Sequence, residues 1–122
     1  MKFTIDRNKW LRGEGFSSSN KGRSCLLRSS DRKMCCLGIF LKSLGASDES
    51  LLDMATPADV DPSNSVVPDW LLCDEPQIYL DCPREVYDLM ESNDDDQLSE
   101  DEREYRVEKF FASKGIEVEF VE

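Results

Sequence analysis

At 122 residues and 39% hydrophobic content, the chain suits one domain with one modest core and is too short for two. Its formal net charge is −11 and it contains no histidine, which removes the Ser-His-Asp and Cys-His arrangements that activate a hydroxyl or thiol near neutral pH. The longest uncharged apolar stretch, Met34 to Leu41, falls short of the roughly 20 residues a membrane-spanning helix needs, and the alternating start Met1 to Asp6 lacks the continuous apolar run of a secretory signal. The chain is therefore expected in the cytosol, away from membranes.

Charge is unevenly spread. Residues 1 to 43 hold ten Lys/Arg against Asp6, Glu14 and Asp31, a balance of +7 that leaves −18 for residues 44 to 122. Such asymmetry bears on partners rather than on fold, and it predicts two faces of opposite sign.

In chain order, Phe3 and Ile5 alternate with Lys2, Thr4 and Asp6, the period of a half-buried strand that Trp10-Leu11 closes. Residues 13 to 24 are rich in Gly and Ser and read as a mobile loop. Cys25 to Arg28 suits a short strand, followed by turn residues Ser29 to Arg32. The period then changes: Leu37, Phe40, Leu41 and Leu44 form one helical stripe, and Gly45 stops it. Ser47 to Ser50 can start a second short helix through Leu51, Leu52 and Met54, ended by Thr56-Pro57. Asp59 to Asp81 contains Pro62, Pro68 and Pro76 and reads as irregular structure, with clusters Trp70-Leu71-Leu72 and Ile78-Tyr79-Leu80, pinned to the core by Trp70.

Pro83 at a first helical position opens a third helix, with Val86, Leu89 and Met90 on one face, running to about Ser92. Asn93 to Leu98 breaks it. Ser99-Glu100-Asp101-Glu102 matches the capping box, and the helix that follows turns Val107, Phe110 and Phe111 inward until Gly115. The tail Ile116 to Val121 alternates as a strand, with Ile116, Val118 and Phe120 inward and Glu117 and Glu119 outward. Pairing it with the first strand would bring the termini together and set Lys2 near these glutamates. The expected fold is a single α+β domain over 1–122, a small sheet with paired N- and C-terminal strands packed against three to four helices.

The five cysteines, Cys25, Cys35, Cys36, Cys73 and Cys82, are an odd number with no export signal, which favours free thiols over disulfides. Their spacing does not give the close pairs of a four-cysteine zinc site, and no metal or other cofactor is expected. Cys35 and Cys36 near a helix start, beside Arg32 and Lys33, are candidates for a lowered thiol pKa; the competing reading packs them beside Leu37 as small hydrophobes. Asn93 to Asp96 between two helices resembles a calcium loop only in its acidity. Counting from Asn93, the sixth position that needs glycine is Leu98, and the twelfth, Glu104, lies inside the next helix. Gly13, Gly15 and Gly22 do not form a phosphate loop. With no activated nucleophile or base, the chain reads as a binding protein rather than an enzyme.

Two binding readings compete. The carboxylates of the later helices and their connector are complementary to a Lys/Arg groove that normally holds nucleic acid, with Asp88, Glu91, Asp94, Asp95, Asp96, Asp101 and Glu104 as candidate partner-binding residues. The alternative is a small nucleic-acid-binding accessory protein that uses the basic third: Lys9, Arg12, Lys21, Arg23, Arg28, Arg32 and Lys33, with Trp10 and Phe16 as stacking platforms. Against it, the remaining −18 repels a phosphate backbone.

Trp10-Leu11-Arg12-Gly13, the stretch Leu26-Leu27-Arg28 followed by Met34-Cys35-Cys36-Leu37-Gly38, the segment Leu89 to Asp94 and the closing Gly115 to Val121 resemble a group of short uncharacterised proteins carried by phages and prophages. In size, acidity and lack of catalytic residues the chain is similar to the anti-CRISPR and other anti-defence proteins of such elements. This resemblance implies a cytoplasmic inhibitor, in a bacterial host cell, that occupies the nucleic-acid or partner-binding surface of a CRISPR-Cas effector subunit, in some cases by mimicking DNA charge. It is a likeness of type and carries no site residue with it.

Overall fold

The alternation at the two ends of the chain produces the sheet. In the computed structural model, which describes residues 1–13, 25–54, 57, 60, 67–71 and 83–122, β1 (Lys2–Asp6) pairs in parallel with β2 (Glu117–Val121), Lys2 opposite Glu117 and Asp6 opposite Val121. Phe3, Ile5 and Val118 point into the core. Lys2 reaches Glu119 at 2.9 Å, as the alternation implies. The termini are not brought together, however. A parallel ladder sets Met1 beside the start of β2 and leaves Glu122 at the other end, about five residues or ~16 Å away.

Among the described residues four α-helices accompany this sheet: α1 (Cys36–Ser43), α2 (Asp48–Leu51), α3 (Arg84–Asp94) and α4 (Glu100–Ala112), with α1 against β1, α4 against β2 and α3 against α4. The fold is thus a small α+β domain, as the sequence predicts. The apolar stripe of α1 is buried, and Gly45 follows it at φ 106°. Phe3, Phe40 and Phe111 meet with ring centroids 4.8 to 5.2 Å apart, which ties β1, α1 and α4 into one aromatic cluster. Half-buried Trp70, in a 3-10 turn at Asp69–Leu71, lies 5.6 Å from Phe40 and pins that turn as expected, beside fully buried Leu71.

Three elements differ in extent from the sequence reading. The strand expected over Cys25 to Arg28 contracts to one bridge between Leu27 and Leu52. That bridge also shortens α2: Leu52 leaves the helix to make it, and Asp53, at φ 58°, donates its N–H to the Leu27 carbonyl at 2.7 Å. Pro83 stands at the N-cap of α3 rather than inside it, and the helix continues through Asn93 and Asp94. Of the loop expected over 13 to 24 all but Gly13 lies outside the described residues, as does most of the proline-rich middle with Ile78-Tyr79-Leu80.

Gly38 is set by contact rather than by backbone conformation. A Cβ at this position would stand 1.8 Å from the Leu26 carbonyl oxygen, so α1 lies against the backbone of the preceding segment. Because a backbone atom cannot rotate away, Gly38→Ala should destabilise the domain by about 2 kcal/mol or more. Urea unfolding should show a lower midpoint with little change in slope.

Candidate partner-binding surface

The acidic connector between α3 and α4 is held from inside by two buried polar side chains. Asn93, 1% exposed, is inside α3 rather than breaking it. Its Oδ1 accepts from Trp10 Nε1 at 2.8 Å and from the Cys36 amide at 3.2 Å. Its Nδ2 donates to the Leu11 carbonyl and to Asp94 Oδ1, both at 3.0 Å. Those tertiary bonds explain why a residue that usually competes with helical backbone is accommodated in the last turn.

Arg103, 2% exposed, works from the other side. Its Nε donates to the Ser92 carbonyl at 3.3 Å, and Nη2 donates to the carbonyls of Leu98, at 3.2 Å, and Asp95. Nη1 donates to Glu100 Oε1. The guanidinium therefore satisfies carbonyls that the end of α3 leaves without helical partners. Ser99 caps α4 by accepting from the Glu102 amide at 3.2 Å. The reciprocal half of the capping box is not made, because Glu102 Oε1 accepts from Arg106 Nε at 3.0 Å.

The seven candidate carboxylates do not form one patch. Asp95 and Asp96 lie on the clamped connector and Asp94 at the end of α3; Asp95 Oδ1 accepts from the Gln97 amide at 2.9 Å and Asp96 Oδ1 from Gln97 Nε2 at 3.3 Å. Glu91 and Asp88 continue this group up α3. Glu91 pairs with the Tyr87 hydroxyl, which pushes the phenol pKa up, and Asp88 makes an exposed ion pair with Arg84 at 3.1 Å. Asp101 and Glu104 stand apart, because α4 turns Arg103 and Arg106 toward Ser92 of α3 while Glu104 turns toward β1. Both Glu104 oxygens accept from Arg7, Nε at 2.8 Å and Nη2 at 2.9 Å.

This pairing also weighs against two cleanly opposed faces among the described residues. Arg7 is committed to Glu104, Arg12 to Glu100 at 2.6 Å, Lys2 to Glu119, and Arg32 and Lys42 to Asp48. Much of the positive third is thus neutralised by later carboxylates. The nucleic-acid alternative loses one of its two aromatic platforms, Trp10. Trp10 is 1% exposed, with its indole N–H on Asn93 and the Arg12 guanidinium 4.6 Å from its ring centroid, so no base can stack on it. Arg28 is engaged with Asp31, holding that carboxyl down to about 2. Lys21, Arg23 and Phe16 lie outside the described residues.

The thiol candidates are core residues. Burial pushes Cys35 up to about 12 and Cys36 well above the ordinary thiol range, and Cys25 is buried and raised as well. At Cys35 and Cys36 desolvation outweighs whatever the helix start contributes. Among the described residues no group of three or more Cys, Asp or Glu side chains is arranged to hold a metal ion, and no helix is long and apolar enough to cross a membrane. Cys73 and Cys82 lie outside the described residues.

Sequence reasoning missed Asn93 and Arg103 as the residues that shape this surface. The only signal for Arg103 was its place three residues beyond Glu100 and four short of Val107, on the inward side of α4. Arg103→Met should destabilise the domain by about 2 to 3 kcal/mol, because it leaves buried carbonyls unpaired. Hydrogen exchange should accelerate first at residues 95 to 98. The Arg7 guanidinium holds Glu104 below the usual carboxylate range, so that stabilisation is present above the ordinary value of 4.5 and is lost as pH falls through the lower folded value. Glu104→Gln should therefore be less stable than the parent at pH 7, with the difference closing in acid; thermal melts across pH measure this.

No protein-family model, no curated protein and no solved structure matches this chain.

Proposed function

We propose that this chain is a phage-type anti-defence protein that binds a bacterial CRISPR-Cas effector. It blocks the effector's basic nucleic-acid-binding surface by steric and electrostatic occlusion, without catalysis. The observation that carries the reading is the connector: Asp94, Asp95 and Asp96 follow one another on a segment whose carbonyls are fastened to the buried Arg103 guanidinium. A loop already fixed before contact loses little entropy on binding, and its charge steers a cationic surface onto it. Glu91 and Asp88 extend the same group, since the exposed Arg84–Asp88 pair is of the weak i,i+4 kind and opens readily. Glu104 drops out of the working set because Arg7 occupies both its oxygens. The target class comes from the resemblance to anti-CRISPR and other anti-defence proteins in size, acidity and lack of catalytic residues.

The test is capture of a purified CRISPR-Cas effector by the tagged chain, with and without Asp95→Lys and Asp96→Lys together. Capture should weaken about tenfold and depend steeply on salt, while unfolding free energy shifts by no more than about 0.5 kcal/mol at exposed Asp96 and by about 1 kcal/mol at half-buried Asp95, which loses its bond from the Gln97 amide. Undiminished capture by the folded double variant rejects this surface. Direct, salt-sensitive binding of labelled oligonucleotide by the parent chain would favour the nucleic-acid alternative instead.

A further inference from the structure

The outward side of α4 has two flanks of different character. On one, Glu102 and Arg106 satisfy each other at 3.0 Å, and Arg106 Nη1 also donates to Ser92 Oγ at 3.3 Å. On the other, Asp101, Tyr105 and Glu108 follow at i, i+4 and i+7, so that helical geometry lines them into one stripe. Tyr105 is 57% exposed and, with Met1, is one of two large hydrophobic side chains that face solvent among the described residues. Neither Asp101 nor Glu108 has a salt-bridge partner there, whereas Glu102 and Glu104 of the same helix are each held by one of the chain's own arginines and Glu100 by two. The Tyr105 ring already draws a cation: Lys109 Nζ lies 5.9 Å from its centroid.

We infer that this stripe receives an arginine from the partner, its guanidinium laid over the Tyr105 ring and its N–H groups donated to Asp101 or Glu108. Charge complementarity selects a cation, and the aromatic between two carboxylates selects which one. A guanidinium is planar, weakly hydrated, stacks on an aromatic face and can donate two parallel hydrogen bonds to a carboxylate; an ammonium is compact and strongly hydrated. Exposed tyrosine is also a side chain that anchors interfaces when desolvated. The inference rests on the acidic-surface reading above and adds to it the identity of the cation that the partner presents.

The experiment titrates the isotope-labelled full chain with an oligo-arginine peptide and an oligo-lysine peptide at low salt, following amide and tyrosine-ring resonances. The expected result is tighter binding of oligo-arginine, with perturbations centred on Asp101, Tyr105 and Glu108. Tyr105→Leu, which keeps apolar area and removes the ring, should weaken oligo-arginine about 2- to 5-fold and leave oligo-lysine unchanged. Unshifted amide resonances elsewhere would establish that the variant is folded. Equal binding of the two peptides, with perturbations confined to residues 94 to 96, overturns the arginine stripe while leaving the acidic connector standing. Absence of binding by either peptide overturns both.

Discussion

The arrangement depends on how one buried amide is satisfied. The Asn93 side chain is donor and acceptor at once, and each role is used: its oxygen serves the Trp10 indole and the first amide of α1, its nitrogen the Leu11 carbonyl. Aspartate would set an oxygen against that carbonyl, and leucine would leave the indole and the α1 amide unpaired. Cys35, at the N-cap of α1, offers no side-chain bond to the helix. Asn93 does that work from across the molecule, and in doing so it fixes where α3 ends. Its own carbonyl accepts from Gly13 at 2.9 Å, and Gly13 packs at positive φ close to Arg103, where a Cβ would meet the guanidinium at 3.2 Å. The N-terminal segment, α1, α3 and the acidic connector therefore share one junction.

Around that junction the charges sort themselves by partner rather than by region. The arginines of the first segment are used to close the molecule: Arg7 spans to Glu104, Arg12 to Glu100, and Glu100 also takes Arg103. Ion pairs of this exposure contribute little stability individually, but they determine which carboxylates face outward without a counterion. Among the described residues, Asp96 on the connector and Asp101 and Glu108 on the far flank of α4 are exposed carboxylates outside these ion pairs.

Local signals were readable. Alternation marked both strands, the stripe from Leu37 to Leu44 marked α1, and Ser99 marked the start of α4, because each is set by neighbours within a few positions. Strand pairing was legible as well, whereas its direction was not: charges on Lys2 and Glu119 are satisfied in either sense. Asn93 was misleading because its chemistry resembles a breaker until its partners, 57 to 83 positions away, are known. Arg103 was missed for a different reason, since its partners lie only 3 to 11 positions away. A charged side chain inside a polar helix looks solvated until the carbonyls it meets are in view. The candidate surface was legible as a run of aspartates, but not the pairing that withdraws Glu104 from it.

The union of the first and last strands has a kinetic side. Lys2 and Glu117 are neighbours in space but 115 positions apart along the chain, so loop closure of nearly the whole polypeptide precedes the only ladder among the described residues. During synthesis Phe3 and Ile5 leave the ribosome well before β2, the strand that pairs with theirs. The nascent chain is exposed to aggregation and proteolysis over that interval. A net charge of −11 on the finished chain disfavours self-association.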